Sequence, residues 1–150
     1  MRPGLSWSSR FDRSANLGDS AWIVHLMNFG PGPANIERIS YALKIAGPSG
    51  DIEREELGHR DVVEFLKDFG LEEGHDYSLH FITPGAALPV VKQTSEGLEF
   101  AAFKPAVIER LSRLNFTVRV ADIVGDHHEK SLPFIATLPA AWREAKALSQ

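Results

Sequence analysis

The stretch from Asp19 to Ile45 constrains the fold of this chain more than any other segment. Residues 21–29 are apolar at both odd and even positions, which predicts a strand covered on both faces. Residues 36–45 alternate between apolar and polar side chains, which is typical of a strand with one buried face. The Gly/Pro run at 30–33 predicts a turn or bulge, because proline cannot donate to a strand ladder. The remaining chain is therefore expected to pack around two consecutive strands.

Several further segments have the composition or alternation of short strands, and turn residues separate them. Glycine and aspartate at Gly125 and Asp126 predict a hairpin turn, and Pro133 predicts an edge strand. The predicted strands are 5–11, 76–83, 90–93, 98–103, 115–123 and 130–137.

Three short helices are predicted between and after these strands. The best pattern is Asp61 to Phe69, with apolar residues at i, i+3, i+4 and i+7, Asp61 as the N-cap and Gly70 as the terminator. The charged residues 51–60 show no regular pattern, so the region of about 51–74 is interpreted as a helix-bearing insert. A second short helix is predicted near 105–113, with Pro105 in its first turn. An amphipathic C-terminal helix is predicted at 139–148.

Many short strands with few helices predict a mainly β protein and favour an antiparallel β-sandwich, since parallel strands need long crossovers. The seam between the two sheets is expected to contain Tyr41, Leu43, Phe116 and Val118. The length of 150 residues predicts one domain spanning 1–150.

Composition excludes some classes of function. The formal net charge of −4 provides no basic field for a nucleic-acid partner. The chain has no cysteine, which removes disulfides, thiolate catalysis and thiolate zinc ligands. No apolar run is long enough to span a membrane, so this segment is expected to be soluble. The compartment stays open: cytoplasmic if Met1 is the true start, extracytoplasmic if the chain is a fragment of an anchored protein.

Two motifs resemble those of immunoglobulin-like β-sandwich modules of unknown function found in many bacterial proteins. One is the turn N-F-G-P-G-P-A-N at residues 28–35, and the other is the strand 118–126, which ends in D-x-x-G. The resemblance implies an immunoglobulin-like sandwich, with the helix-bearing insert as a departure from the plain module. The residues that carry the motifs are Asn28, Gly30, Gly32, Pro33, Ala34, Asp122 and Gly125.

The stretch Asp126 to Glu129 is the strongest candidate for chemistry, because two imidazoles and two carboxylates can ligate a metal. Adjacent histidines on a strand point to opposite faces, which argues against one shared ion and favours a solvated turn. A metal-binding or metal-dependent hydrolytic domain using His127, His128 and Glu129, with His59 or His75 as further ligands, is one alternative function.

The sequence favours a non-catalytic protein-interaction or structural module. Its partner is expected to be another protein or a second copy, met at the Pro133 edge strand or at residues 51–74. Another alternative is a small ligand or peptide bound between residues 51–74 and the sheet. No catalytic residue is predicted, because no nucleophile motif appears. No cofactor is expected, and the Gly30–Pro33 turn lacks the lysine of a phosphate loop.

Overall fold

The structure, a computed structural model, describes residues 4–28, 34–79, 87–88 and 98–139. It is mainly β, as the sequence predicts, with two antiparallel sheets and few helices. The strands are β1 Leu5–Ser14, β2 Asp19–Asn28, β3 Ala34–Gly47, β4 Gly50–Leu57, β5 Tyr77–Leu79, β6 Ala87–Leu88, β7 Leu98–Phe103, β8 Leu111–Ala121 and β9 His127–Pro133. The helices are α1 His59–Lys67, α2 Pro105–Arg110 and α3 Phe134–Thr137.

The two sheets differ in size. One has four strands in the order β1-β2-β7-β5. The other has five strands in the order β4-β3-β8-β9, with β6 paired to the start of β3. Among the described strands β1 and β9 each end a sheet, which confirms the edge position predicted for the first strand and for the Pro133 strand.

The inner faces of the two sheets share one core. The predicted seam is confirmed: Tyr41 is 2 % exposed, and Leu43, Phe116 and Val118 are fully buried. Phe116 on β8 lies at the centre of an aromatic cluster, with its ring centroid 5.3 Å from that of Phe100 and 6.0 Å from that of Phe103, both on β7. These cross-sheet contacts bury large apolar surfaces, which is the main source of stability in such a fold.

Strand β2 is buried on both faces, as its continuous apolar run predicts. Trp22, Val24 and Leu26 belong to the main core, whereas Ala21 and Ile23 form a second buried cluster with Ala102 of β7. The other side of the four-stranded sheet is thus also covered at this point.

Helix α1 docks through the predicted apolar stripe. Val62 and Leu66 are buried in the main core, and Phe65 and Phe69 pack against it. The helix begins earlier than predicted, because Gly58 is the N-cap and the Asp61 carboxylate instead accepts the Gly58 N–H from the third helical position (3.4 Å). Gly70 adopts the expected left-handed conformation beyond the end of the helix, at φ +79°.

The prediction that residues 51–60 are irregular is wrong, because most of them form β4, the edge strand beside β3. The pattern is hard to read since only Ile52 and Leu57 are apolar and a bulge interrupts the alternation. Leu43 pairs with Arg54 while Tyr41 pairs with Leu57, so β4 has one extra residue between these positions. Only α1 and the turn after it resemble an insert.

The predicted helix at 105–113 is too long. Pro105 does occupy the first turn, but α2 ends at Arg110 and β8 begins at Leu111. Leu111 and Leu114 are both buried, and their i, i+3 spacing looks helical in sequence. A bulge at Ser112 explains how a strand buries both, because Lys44 pairs with Arg113 while Ile45 pairs with Leu111.

The last described strand is shifted from its predicted position. Strand β9 begins at His127 instead of Lys130, and the chain turns into the short helix α3 after Pro133. Phe134 of α3 is fully buried against Phe103 and Phe116, so the core continues beyond the strand. The predicted strand 90–93, the end of the predicted strand 76–83 and nearly all of the C-terminal helix lie outside the described residues.

Candidate binding groove on the five-stranded sheet

The structure separates the two histidines of the metal hypothesis, whereas Glu129, two residues after His127, lies on the same outer face as His127. His127 and His128 open β9, and their side chains point to opposite faces, as alternation on a strand requires. The His127 imidazole Nδ1 lies 2.5 Å from the Glu37 carboxylate on the outer face. The His128 Nε2–H donates to Asp122 Oδ2 at 2.9 Å on the other side of the strand.

The further ligands considered for a metal also lie apart. His59 Nε2 is 3.3 Å from the Leu79 carbonyl oxygen, and His75 Nδ1 is 3.2 Å from the Asp76 carboxylate. Within residues 4–28, 34–79, 87–88 and 98–139, no three histidine or carboxylate side chains are grouped to hold a metal ion. The geometry of the described residues therefore gives the metal hypothesis no support.

Asp122 organises the hairpin between β8 and β9. Its buried carboxylate accepts the backbone N–H groups of Val124 and Asp126, each at 3.0 Å, in addition to the His128 donor. The His128 hydrogen bond, followed by the two backbone donors, lowers the pKa of Asp122 below its ordinary value. Gly125 completes the turn at φ +90°. The D-x-x-G motif thus holds the turn.

Of the five residues that carry the first motif, Asn28 and Ala34 are described, and both are buried. The Asn28 side-chain oxygen accepts the backbone N–H of Gly4 at 3.1 Å, which ties the start of β1 to the end of β2. Ala34 begins β3 at 2 % exposure. Gly30, Gly32 and Pro33 lie outside the described residues.

The outer face of the five-stranded sheet forms a groove of about 450 Å³. Three hydroxyl side chains lie in one row across its floor, since Ser40 pairs with Thr117 and Thr117 with Ser131. The Thr117 and Ser131 hydroxyl oxygens are 2.9 Å apart. Short side chains in adjacent strands leave a depression between longer neighbours, and the registry of β3, β8 and β9 therefore builds the groove.

One wall of the groove comes from the bulge in β4. Glu55 and Glu56 line it, and Glu56 has a backbone φ of +55°, the left-handed conformation that L-residues rarely adopt. Holding a glutamate there costs of the order of 1 kcal/mol. Such strain is frequent at functional sites, and here it sets the position of a carboxylate at the groove.

Arginines and glutamates surround the hydroxyl row. Arg113 donates to Glu53 and Glu55 on β4, and these hydrogen bonds raise the pKa of Arg113. A smaller recess of about 160 Å³ adjoins the groove. Its lining consists of Arg38, Ser40, Glu56, Thr117, Arg119 and Glu129.

Alternation along the predicted strands 36–45 and 115–123 puts Ser40 and Thr117 on the solvent side of each strand, but nothing in the sequence connects the two residues. Their alignment depends on strand registry between segments more than 70 residues apart, as Ser40 and Thr117 are. In the sequence, Glu56 is only one member of the charged run 51–60. Its conformation depends on the bulge, which leaves no signal in the residue types.

Comparison with protein-family models, with curated proteins and with solved structures gave no match. Among the helices in the described part of the chain, none has the length and apolar character needed to cross a membrane. The class that the geometry defines is therefore limited to a mainly β protein with two antiparallel sheets and a polar groove on one outer face.

Proposed function

We propose that this chain is a non-catalytic binding module with an immunoglobulin-like β-sandwich, and that it recognises another protein at the outer groove of the five-stranded sheet. The two antiparallel sheets with a shared core and the Asp122 hairpin support this architecture. The groove is the single observation that carries the proposed function.

A sheet face that only meets solvent is usually covered by long charged side chains, which shield the strands beneath them. Here the row of Ser40, Thr117 and Ser131 leaves the centre of the face low, and charged residues stand at its margins. A polar floor with hydroxyl donors and acceptors suits a ligand whose own polar groups need partners. An extended protein segment meets that requirement through its main chain.

The same groove gives weight to the alternative of a ligand between residues 51–74 and the sheet. Glu55 and Glu56, which line the groove, belong to that region. Helix α1 of the same region buries Val62 and Leu66 at 1 % exposure, so the helix itself packs tightly on the core. The groove thus lies beside β4, not beneath the helix. The protein-segment hypothesis and the small-ligand hypothesis therefore concern the same surface.

An unbiased screen tests the proposed function. The ¹⁵N-labelled protein is titrated with a library of short peptides and small polar molecules, and chemical-shift changes are mapped on the chain. We expect the changes to cluster at the backbone amides around Ser40, Thr117 and Ser131. The variant Thr117→Trp, which fills the groove, should abolish them.

The matched control is Ser8→Trp, an exposed position on β1 of the other sheet. It adds the same side chain to a strand but should leave the binding shifts unchanged. Shift changes that cluster on another surface, or that survive Thr117→Trp, would reject the groove as the recognition surface.

A further inference from the structure

The arginines at the groove are mostly neutralised by glutamates of this chain. Arg113 donates to Glu53 and Glu55, and Arg119 Nε lies 3.6 Å from Glu37 Oε1. These ion pairs are partly exposed, but each places a carboxylate against a guanidinium that a ligand anion would otherwise reach. An anionic ligand therefore finds little free positive charge on this side of the groove.

Two carboxylates at the recess have no such partner. Glu56 on β4 and Glu129 on β9 are exposed, both line the 160 Å³ recess, and neither forms an ion pair with another described residue. The linings of the groove and the recess contain three glutamates (Glu55, Glu56 and Glu129) and three arginines (Arg38, Arg113 and Arg119). Arg113 and Arg119 are paired with glutamates of this chain, so the lining charges that are left for a ligand are two carboxylates and one guanidinium.

We propose that the groove recognises the guanidinium of an arginine side chain on an extended segment of the partner protein. This inference rests on the proposed function and specifies the ligand of the same site. The planar guanidinium has five donors and pairs with carboxylates in a bidentate geometry, which suits Glu56 and Glu129. The hydroxyl oxygens of Ser40 and Thr117, on the floor of the recess, accept the remaining N–H groups.

Substituting Arg38 tests whether removing a positive charge from the recess strengthens binding. It is exposed, lines the same recess, and forms no ion pair with another described residue. Its charge opposes an incoming guanidinium, so Arg38→Gln should tighten binding, whereas Glu56→Gln and Glu129→Gln should weaken it. Each change is expected to be about threefold in Kd, as for one exposed ion pair. A structural role for these residues would not produce opposite signs.

The experiment uses two matched probes, acetyl-Gly-Arg-Gly-amide and its citrulline analogue, which is nearly isosteric but uncharged. Each is titrated into the ¹⁵N-labelled full chain at low salt, because screening weakens exposed ion pairs. We expect saturable shifts at the groove amides with the arginine peptide and much smaller ones with the citrulline peptide. The three glutamine variants are exposed single substitutions, and their amide spectra verify that they fold.

The outcomes separate this inference from the proposed function. Equal binding of the two peptides, or an Arg38→Gln effect of the same sign as Glu56→Gln, would overturn recognition of a guanidinium. Library compounds that bind the groove while the arginine peptide does not would also overturn it, and the groove would remain a binding surface. If nothing in the library shifts the groove amides, both proposals fail.

Discussion

The two faces of strand β8 meet opposite environments. On the inner face Phe116 and Val118 are fully buried against the four-stranded sheet, while on the outer face Thr117 is half-buried in a polar groove and Arg119 is exposed. The change occurs from one residue to the next, because successive side chains of a strand point to opposite sides. The same backbone therefore serves stability on one face and proposed recognition on the other.

The difference between the faces also separates two kinds of tolerance to mutation. The inner face is packed at the density of an organic crystal, so a change of charge or volume there affects the whole core. The outer face contacts water, and most substitutions there cost within about 0.5 kcal/mol. Three predictions test this comparison, from the largest expected effect to the smallest.

Val118→Asp against Thr117→Asp is the most direct test of the two faces. At Val118 a carboxylate would be buried between the sheets without a partner, and we expect a loss of about 4 kcal/mol or more, enough to unfold many domains. At Thr117 the same carboxylate would reach water, with an expected loss within about 1 kcal/mol. Urea denaturation followed by circular dichroism measures both.

An equal loss of unfolding free energy in these two variants would mean that β8 does not have one buried face and one solvent-exposed face. If Val118→Asp folds well and Thr117→Asp is strongly destabilised, the register of β8 is shifted by one residue and Thr117 is on the buried face. In either case the groove would lose its floor, because Ser40, Thr117 and Ser131 share that register.

Regular alternation explains which parts of this fold sequence reasoning could predict. From Ile39 to Ile45 β3 alternates without interruption, as does the second half of β8, and the inner and outer residues of these segments are as expected. Before Ile39 a bulge at Glu37 interrupts the alternation predicted for residues 36–45, because Ile36 pairs with Val120 and Arg38 with Arg119. β4 and the start of β8 were missed because each contains a bulge, which shifts the apolar positions away from the period of two. The groove could not be predicted because it needs the registry of three strands as well as their faces.

Asp122→Asn tests whether the hairpin beside the groove is held by a charge. Because hydrogen bonds lower the pKa of Asp122 in the folded state, its carboxylate stabilises the fold above the unfolded pKa of about 4. That contribution is lost as the pH falls through the lowered folded pKa. We expect the variant to melt a few degrees below the parent at pH 7, with a gap that closes on acidification.

Differential scanning calorimetry between pH 7 and pH 3 gives this comparison. Asp126→Asn is the matched control, since Asp126 lies in the same turn with an exposed side chain and donates to Asp122 only through its backbone. Its melting temperature should follow the parent at every pH. A gap for Asp122→Asn that stays constant down to pH 3 would show that the ionised carboxylate does not hold the turn.

The smallest expected effect concerns the backbone of Glu56, which sets the wall of the groove. At φ +55° glycine has no steric penalty, so the glycine variant at position 56 should be more stable than the alanine variant by about 1 kcal/mol. At the neighbouring position 55, where the φ is not positive, the glycine variant should instead be less stable than the alanine variant by about 0.5–1 kcal/mol.

Comparing alanine with glycine at each position removes the effect of losing the glutamate side chain, including the contact of Glu55 with Arg113. Chemical denaturation of the four variants measures the two differences. If glycine is disfavoured at both positions, β4 has no left-handed residue at 56, and the carboxylate proposed to meet the partner's arginine is not held at the groove.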